Sequence, residues 1–552
     1  MTSMKSVWYK NAIVYSLDVE TFKDSDGDGI GDFRGLTHRL DYLAGLGVNC
    51  LWLLPFYPSP NRDNGYDVMN YYDVDPRLGT LGDFVEFMHQ ARDRGIRVLI
   101  DLVVNHTSIE HPWFQSARQD KNSKYRNYYV WSDDPQPNPD LIAFPTKEDS
   151  IWEYDEQAGA SYLHHFYKEQ PDLNIGNPKV QEEILRIMGF WLELGVSGFR
   201  IDAAHFLVKN VGIDGASSED LILFLERMRE FVTARRADAI LLAEANVSPD
   251  QIPVYFDQGN RMHMLFNFLL NQQLFLALAR QDANTLKDGL KTLPCIPHNA
   301  QWLNFVRHHD ELTLDRLSDE QRQEIFAAFA PEEQMQIFGR GIRRRLPPMM
   351  QNDRHRIEMI YSLAFTLPGT PLLRYGDEIG MGDDLSLEGR ESVRTPMQWS
   401  DDPNGGFSTA SPDALVRPVI SEGEYSYPHV NVSFEQRDPA SFLNWMEHLI
   451  RTRRQCPEFG TGKWQMLETN EPAVFAHACK LDGATVLALH NLSDRPCTVT
   501  LEDIQQEHLM EVFGDNFSLV RYDQKYKPLD QSSNTISMNA YGYRWFRVSA
   551  MH

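Results

Sequence analysis

Four apolar runs in this chain end on carboxylates: RVLIDLV carries Asp101, GFRIDAA carries Asp202, AILLAEA carries Glu244 and WLNFVRHHD ends on Asp310. Asn105 and His106 follow the first, Arg200 stands two residues before Asp202, and His309 precedes Asp310. An isolated buried carboxylate is costly to keep ionised. Several together suit a site that stabilises positive charge or passes protons. Glycosidic cleavage needs both: one carboxylate attacks or stabilises an oxocarbenium-like centre, and a protonated one donates to the leaving oxygen. Taken singly, each residue reads more simply as a helix N-cap or a structural ion pair. Four such run ends together weaken that simpler account.

The elements that must position them alternate along the chain. Short β-branched runs at 12–17, 49–55, 97–103, 198–204, 239–245, 264–268, 302–310 and 370–378 are separated by amphipathic stretches such as LGDFVEFMHQARDRG and PKVQEEILRIMGFWLELG. Eight strand–helix units in series predict an α/β fold, a (β/α)8 TIM barrel, rather than an open sheet. Active-site groups of such a barrel sit at the C-terminal ends of its strands, where these carboxylates fall.

Two stretches break the rhythm. Residues 107–175 are rich in Pro, Asp, Tyr and Trp and read as a subdomain inserted after strand 3. Residues 315–352 are charged and helical, and serve equally well as a lid over the barrel mouth or as a solvated insertion. The barrel is thus expected over 1–106 and 176–460. Beyond it, AVFAHACK, TVLALHNL, TVTLED and YRWFRVS alternate as strands do, so 461–552 is expected to form a C-terminal all-β domain.

The 552 residues carry a formal net charge of −25, with 42% hydrophobic and 24% charged residues. This is a globular composition. The acidity argues against nucleic acid or an anionic membrane as partner, since phosphate binding needs positive patches. It suits a small neutral substrate. The five cysteines, Cys50, Cys295, Cys456, Cys479 and Cys497, are odd in number and widely spaced. With no apolar leader at the start, they predict reduced thiols in a cytoplasmic protein. No apolar run is long enough to span a membrane.

A second acidic pattern lies near the N-terminus. KDSDGDGIGDF sets oxygens at Asp24, Asp26, Asp28, the Ile30 carbonyl and Asp32. Alternating hard oxygens around glycines suit Ca²⁺. The twelfth position is Gly35, so this is no EF-hand. A solvated acidic turn is the plain alternative.

DLVVNH (101–106), GFRIDAAH (198–205), EANV (244–247) and VRHHD (306–310) together resemble the four ordered signature regions of the α-amylase superfamily. The resemblance covers essentially the whole chain. It implies Asp202 as nucleophile, Glu244 as acid/base and Asp310 as transition-state stabiliser. Arg200 would orient Asp202, and His106 and His309 would bind sugar hydroxyls. RDNGYDV (62–68) resembles the loop that receives a terminal glucose, with Tyr66 stacking on the ring and Asp63 binding its outer hydroxyls. Arg394, in VRTPMQW, would pair with Asp63 and close the pocket. Similar acidic loops in the family hold one structural calcium.

QPDLN (170–174) resembles the marker of the oligo-1,6-glucosidase and trehalose-synthase branch, and GIRRRLPPMMQNDRHRIEM (341–359) is similar to its trehalose-synthase members. That implies a retaining enzyme that interconverts maltose and trehalose by intramolecular transglucosylation, with some hydrolysis. An α-glucosidase acting on short α-glucosides is the alternative; a non-catalytic binding subunit is a remote third. After Asp202 the chain departs from trehalose synthases, reading AAHFLVK with His205 and Lys209. A lysine there resembles oligo-1,6-glucosidases, so no second calcium is expected beside Asn105 and Asp172.

Overall fold

A computed structural model describes residues 4–208, 217–501, 507–515 and 535–550. Eight strands close into a parallel barrel: β1 (Val14–Leu17), β2 (Cys50–Leu53), β3 (Arg97–Leu102), β4 (Gly198–Ile201), β5 (Ile240–Ala243), β6 (Met264–Phe266), β7 (Gln301–Phe305) and β8 (Thr370–Arg374). Each pairs in parallel with the one before it, and β8 returns to β1. The eight runs expected from the sequence are these strands.

Alternation along the strands gives the barrel two cores. Val14, Trp52, Leu99, Leu242, Phe266, Leu303 and Leu372 pack together as one buried cluster. Their neighbours in sequence face the surrounding helices and join a larger core with helix residues such as Phe84, Phe87, Ile184 and Trp191. Strands buried on both faces read as continuous apolar runs. The helices carry local start signals. Thr80 and Asp83 form a capping box at Leu81–Asp93. Asn177 caps Pro178–Glu193, which opens on proline. At the start of β4, Gly198 has φ +145°, and a Cβ there would lie 2.1 Å from the Ile240 carbonyl oxygen. Only glycine lets β4 and β5 close up at this point.

Between β3 and helix Pro178–Glu193 the chain builds a three-stranded antiparallel sheet, with Ala160–Leu163 between Trp131–Ser132 and Trp152–Asp155. Single bridges, His106 to Asp172 and Tyr129 to Leu173, bring it back to the rim. After β7, Leu312–Thr313, Gln336–Ile337 and Gly341–Ile342 form a small antiparallel sheet beside helix Asp319–Phe329. Ile325, Phe326 and Phe329 of that helix are buried. The two excursions meet: Phe338 stacks on Phe144 with centroids 5.0 Å apart, and Arg340 Nη2 donates to the Ala143 carbonyl at 2.7 Å.

Five C-terminal strands form an antiparallel sheet in the order Lys463–Leu467, Val474–Leu481, Ala484–Asn491, Tyr543–Ala550, Glu507–Gly514. A further pair, Cys497–Thr500 with Thr535–Met538, adds to the same core of Leu487, Leu489, Val499 and Phe546. The five cysteines are free. Among the described residues no helix is long and apolar enough to cross a membrane.

Candidate active site

The barrel register brings the strand-end residues together. Asp101 on β3 stands opposite Arg200 on β4, and Arg200 opposite Leu242 on β5, two residues before Glu244. One buried guanidinium then serves three carboxylates. Arg200 Nη1 lies 2.5 Å from Asp101 Oδ1 and 2.5 Å from Asp202 Oδ1, and Nη2 lies 2.9 Å from Glu244 Oε2. Asp101 is fixed from its other side by Trp52 Nε1 at 3.0 Å. Just after Asp202, Ala203 adopts a left-handed conformation, φ 47° and ψ 38°. Its N–H donates to Glu244 Oε2 at 3.1 Å. A non-glycine residue there is strained, and such strain gathers at sites held by their surroundings.

Glu244 and Asp310 line a cavity of ≈ 210 Å³ together with Phe144, Phe166, Phe206 and Arg390. That is smaller than the ~300–1,000 Å³ usual for drug-sized ligands. Asp202 lies deeper, 6% exposed. Burial pushes Glu244 up to about 7; the Arg200 charge opposes this, while Asp202 and Asp310 add to it. Asp101 is likewise raised to about 7, by burial against the pull of Arg200. Asp310 goes the other way. Burial would raise it, but Arg390, His309 and Arg394 together hold it well below the usual carboxylate range. The site therefore keeps Glu244 and Asp101 partly protonated near neutrality and Asp310 firmly ionised. Groups with such divergent proton affinities can divide acid and electrostatic roles between them.

The sugar-binding residues expected from the sequence gather here, with one correction. Tyr66 and His309 stack in parallel, with centroids 5.7 Å apart, and Tyr66 Oη sits 2.8 Å from His309 Nε2. His106 Nε2 lies 3.2 Å from the Tyr66 carbonyl. Burial drives His309 down to about 3 and lowers His106, so both rings are neutral. Arg394 does not pair with Asp63. Its Nη2 meets Asp310 Oδ1 at 2.8 Å, Nη1 meets Glu391 at 3.3 Å, and Nε donates to the His309 carbonyl at 2.9 Å. Glu391 sits three residues earlier, on the 3-10 turn Gly389–Val393 that ends at Arg394, so the guanidinium is held toward Asp310. Asp63 instead accepts from Gln170 Nε2 at 2.9 Å, and burial raises it to about 7.

Asp172 accepts from Asn105 Nδ2 at 3.2 Å and also pairs with His165. Lys209, whose ammonium was expected near these groups, lies outside the described residues. The sequence reading passed over Arg390, which bonds Asp310 at 3.0 Å and Glu311 at 2.8 Å. It lies in a loop with no periodicity, and only its place four residues before Arg394 hints at a shared partner.

In the N-terminal loop, ligand oxygens of Asp24, Asp26 and Asp28 lie within 4.8 Å of one another. Short turns aim them: Asp24 Oδ1 accepts from Asp26 N and Gly27 N, and Asp28 Oδ1 from Ile30 N. Partial burial and the charges of Asp26, Asp24 and Asp32 raise Asp28, which marks unneutralised like charge. Three converging carboxylates fit a hard cation. Asp32 also organises the loop. Its oxygens take Ser25 N at 2.7 Å, Ser25 Oγ at 2.8 Å and Gly35 N at 2.7 Å, capping helix Phe33–His38.

Comparison with known proteins agrees with this geometry. The alpha amylase catalytic domain profile matches residues 17–462, and a sucrose hydrolase-like C-terminal domain profile matches 483–547. The trehalose synthase/amylase TreS of Mycobacterium tuberculosis is 41% identical over 98% of this chain and 90% of its own length. An oligo-1,6-glucosidase of Parageobacillus thermoglucosidasius is 30% identical, covering 91% of this chain and 93% of its own. Among solved structures, the trehalulose synthase MutB of Pseudomonas mesoacidophila superposes with a TM-score of 0.75 at 26% identity, over 98% of this chain and 99% of that one. The chain belongs to the alpha-amylase family of glycoside hydrolases and transglycosylases.

Proposed function

We propose that this enzyme interconverts maltose and trehalose inside one site, by double displacement with retention. The observation that carries the reading is the meeting of Phe144, which lines a small cavity with Glu244 and Asp310, with Phe338 of the excursion after β7. A small cavity bordered by both excursions can hold a released glucose long enough for it to turn. The 41% identity to a trehalose synthase, against 30% to an oligo-1,6-glucosidase, supports the same choice.

In this scheme Glu244, half-protonated near neutrality, gives its proton to the glycosidic oxygen while Asp202 attacks C1. Arg200 holds Asp202 in place through their salt bridge. Ionised Asp310 opposes the positive charge that develops on the ring. Neutral His106 and His309 exchange hydrogen bonds with hydroxyls, Tyr66 stacks on the sugar, Asp63 bounds the far end, and Arg394 pairs with Asp310. The glucose then presents its anomeric hydroxyl, loses that proton to Glu244, and displaces Asp202 to form trehalose. Water in the same place gives glucose.

Hydrolysis as the main reaction is the second reading, favoured by the departure after Asp202, where His205 lines the cavity wall. Purified protein incubated with maltose, with products separated by anion-exchange chromatography, decides between them. Trehalose formed faster than glucose supports the synthase; glucose alone rejects it.

A structural Ca²⁺ is proposed for the loop of Asp24, Asp26 and Asp28, with the Ile30 carbonyl as a further oxygen and Asp32 shaping the loop. The reaction steps above need no metal. Free cysteines suit a reducing, cytoplasmic setting, and the substrate is a small neutral sugar.

A further inference from the structure

Arg390 occupies an unusual position for a residue outside the barrel strands. Its guanidinium lies 3.0 Å from Asp310 through Nη1 and 2.8 Å from Glu311 through Nε. The same group sits 4.8 Å from the Phe144 ring centroid and 5.5 Å from that of Phe338. Phe144 belongs to the excursion after β3 and Phe338 to the one after β7. Phe338 also holds φ 55°, which aromatic residues seldom adopt. Such strain persists only where neighbours over-determine it, and here the neighbours are Phe144 and Arg390.

We infer that Arg390 is a positioning residue that ties the Phe144–Phe338 contact between the two excursions to Asp310, and so sets how the glucosyl-enzyme is divided between transfer and hydrolysis. This rests on the proposed function. The shared intermediate is an ester between C1 of glucose and Asp202. Either the anomeric hydroxyl of the retained glucose or a water attacks C1, the C1–Asp202 bond breaks, and Glu244 takes the attacker's proton. The two routes differ only in which hydroxyl stands at C1, so they are separated by whatever holds glucose in and water out. A planar cation that meets two aromatic rings and two carboxylates joins both excursions to Asp310 at once. A lysine keeps the charge at Asp310 but cannot supply that flat, two-sided contact.

The test compares wild type, Arg390→Lys and Phe338→Ala on maltose, reading the initial glucose-to-trehalose ratio, total maltose consumption and thermal midpoint. Loss of one cation–π contact predicts a ratio raised about tenfold in each variant, with a much smaller loss of total consumption. A merely structural role would lower consumption and thermal midpoint together and leave the ratio unchanged. Folded variants that keep the wild-type ratio overturn the inference. If wild type itself forms only glucose, the synthase reading falls. The same variants are then read on the share of glucosyl groups transferred to added glucose, which they must lower; an unchanged share overturns the role of Arg390.

Discussion

Arg200 Nη2 sits 2.9 Å from Glu244 Oε2, and the same guanidinium holds Asp202 and Asp101 on its other prong. The acid/base and nucleophile candidates therefore share one cation, and each feels the other's charge. Burial raises Glu244 to about 7, Arg200 opposes it, and Asp202 reinforces it. Glu244 is thus protonated below neutrality and loses its proton as pH rises through about 7. Its role as acid predicts an alkaline limb in kcat/KM, falling about tenfold per pH unit above that value. A nitrophenyl α-glucoside, whose leaving group needs no proton, should lack this limb. A limb of equal steepness with both substrates would remove Glu244 from the acid role.

Asp202 is 6% exposed and held by Arg200, with Ala203 turned into the left-handed region directly after it. Asparagine keeps the shape and removes the charge that attacks C1. Asp202→Asn should lower turnover by roughly four orders of magnitude or more while leaving the circular dichroism spectrum unchanged. Hydrolysis caught early by NMR should release α-glucose, the sign of two displacements. Near-wild-type turnover in the variant, or β-glucose as first product, would reject Asp202 as nucleophile.

The loop of Asp24, Asp26 and Asp28 follows β1 in the chain, and Asp24 also accepts from Ser408 Oγ at 2.6 Å, joining two distant chain segments. Calcium there should act on stability and leave chemistry alone. Adding Ca²⁺ to one hundred times its Kd stabilises the fold by about 2.7 kcal/mol. A chelator should lower the thermal midpoint, leaving the pH profile of kcat unchanged. Asp28→Asn should weaken the calcium response. A thermal midpoint indifferent to both chelator and calcium would leave the loop as an acidic turn.

The barrel and its carboxylates were legible because their signals are local. β-branched runs predict strands, and the last residues of those runs predict the rim. The run ends set Asp202, Glu244 and Asp310 on that rim; their separate roles came from the resemblance to the α-amylase superfamily. What long-range packing decides was not legible. The run GRESVR does not reveal that Arg390 and Arg394 both reach Asp310, since that depends on how the loop after β8 crosses the mouth. Asp32 carried two competing signals, an alternating acidic spacing and a cap position before Phe33–His38. Its carboxylate takes the cap, because backbone N–H groups at a helix start need an acceptor. Residues 315–352 could have been solvated or a cover; buried Ile325, Phe326 and Phe329 and the Phe338–Phe144 stack show them packed.

Arg394 offers the sharpest test of how Asp310 is kept charged. Burial alone would raise Asp310, yet Arg390, His309 and Arg394 hold it well below its ordinary value. His309, driven to about 3 by burial, is neutral near pH 7, so the two arginines supply the positive charge there. A carboxylate with a depressed value contributes its charged form above the unfolded value and loses it as pH falls through the folded one. Arg394→Met removes one of those charges and should raise Asp310. The acid limb of kcat/KM should then begin at a higher pH than in wild type. The Asp310 ion pairs should also fail earlier on acidification, so the thermal midpoint of the variant should begin to drop at a higher pH. Asp63 feels Arg394 only as a charge at a distance and takes its hydrogen bond from Gln170. KM for maltose should therefore rise less than kcat falls. An acid limb unmoved by the substitution, with a large rise in KM alone, would return Arg394 to the sugar-binding role expected from the sequence and leave Arg390 as the residue that keeps Asp310 ionised.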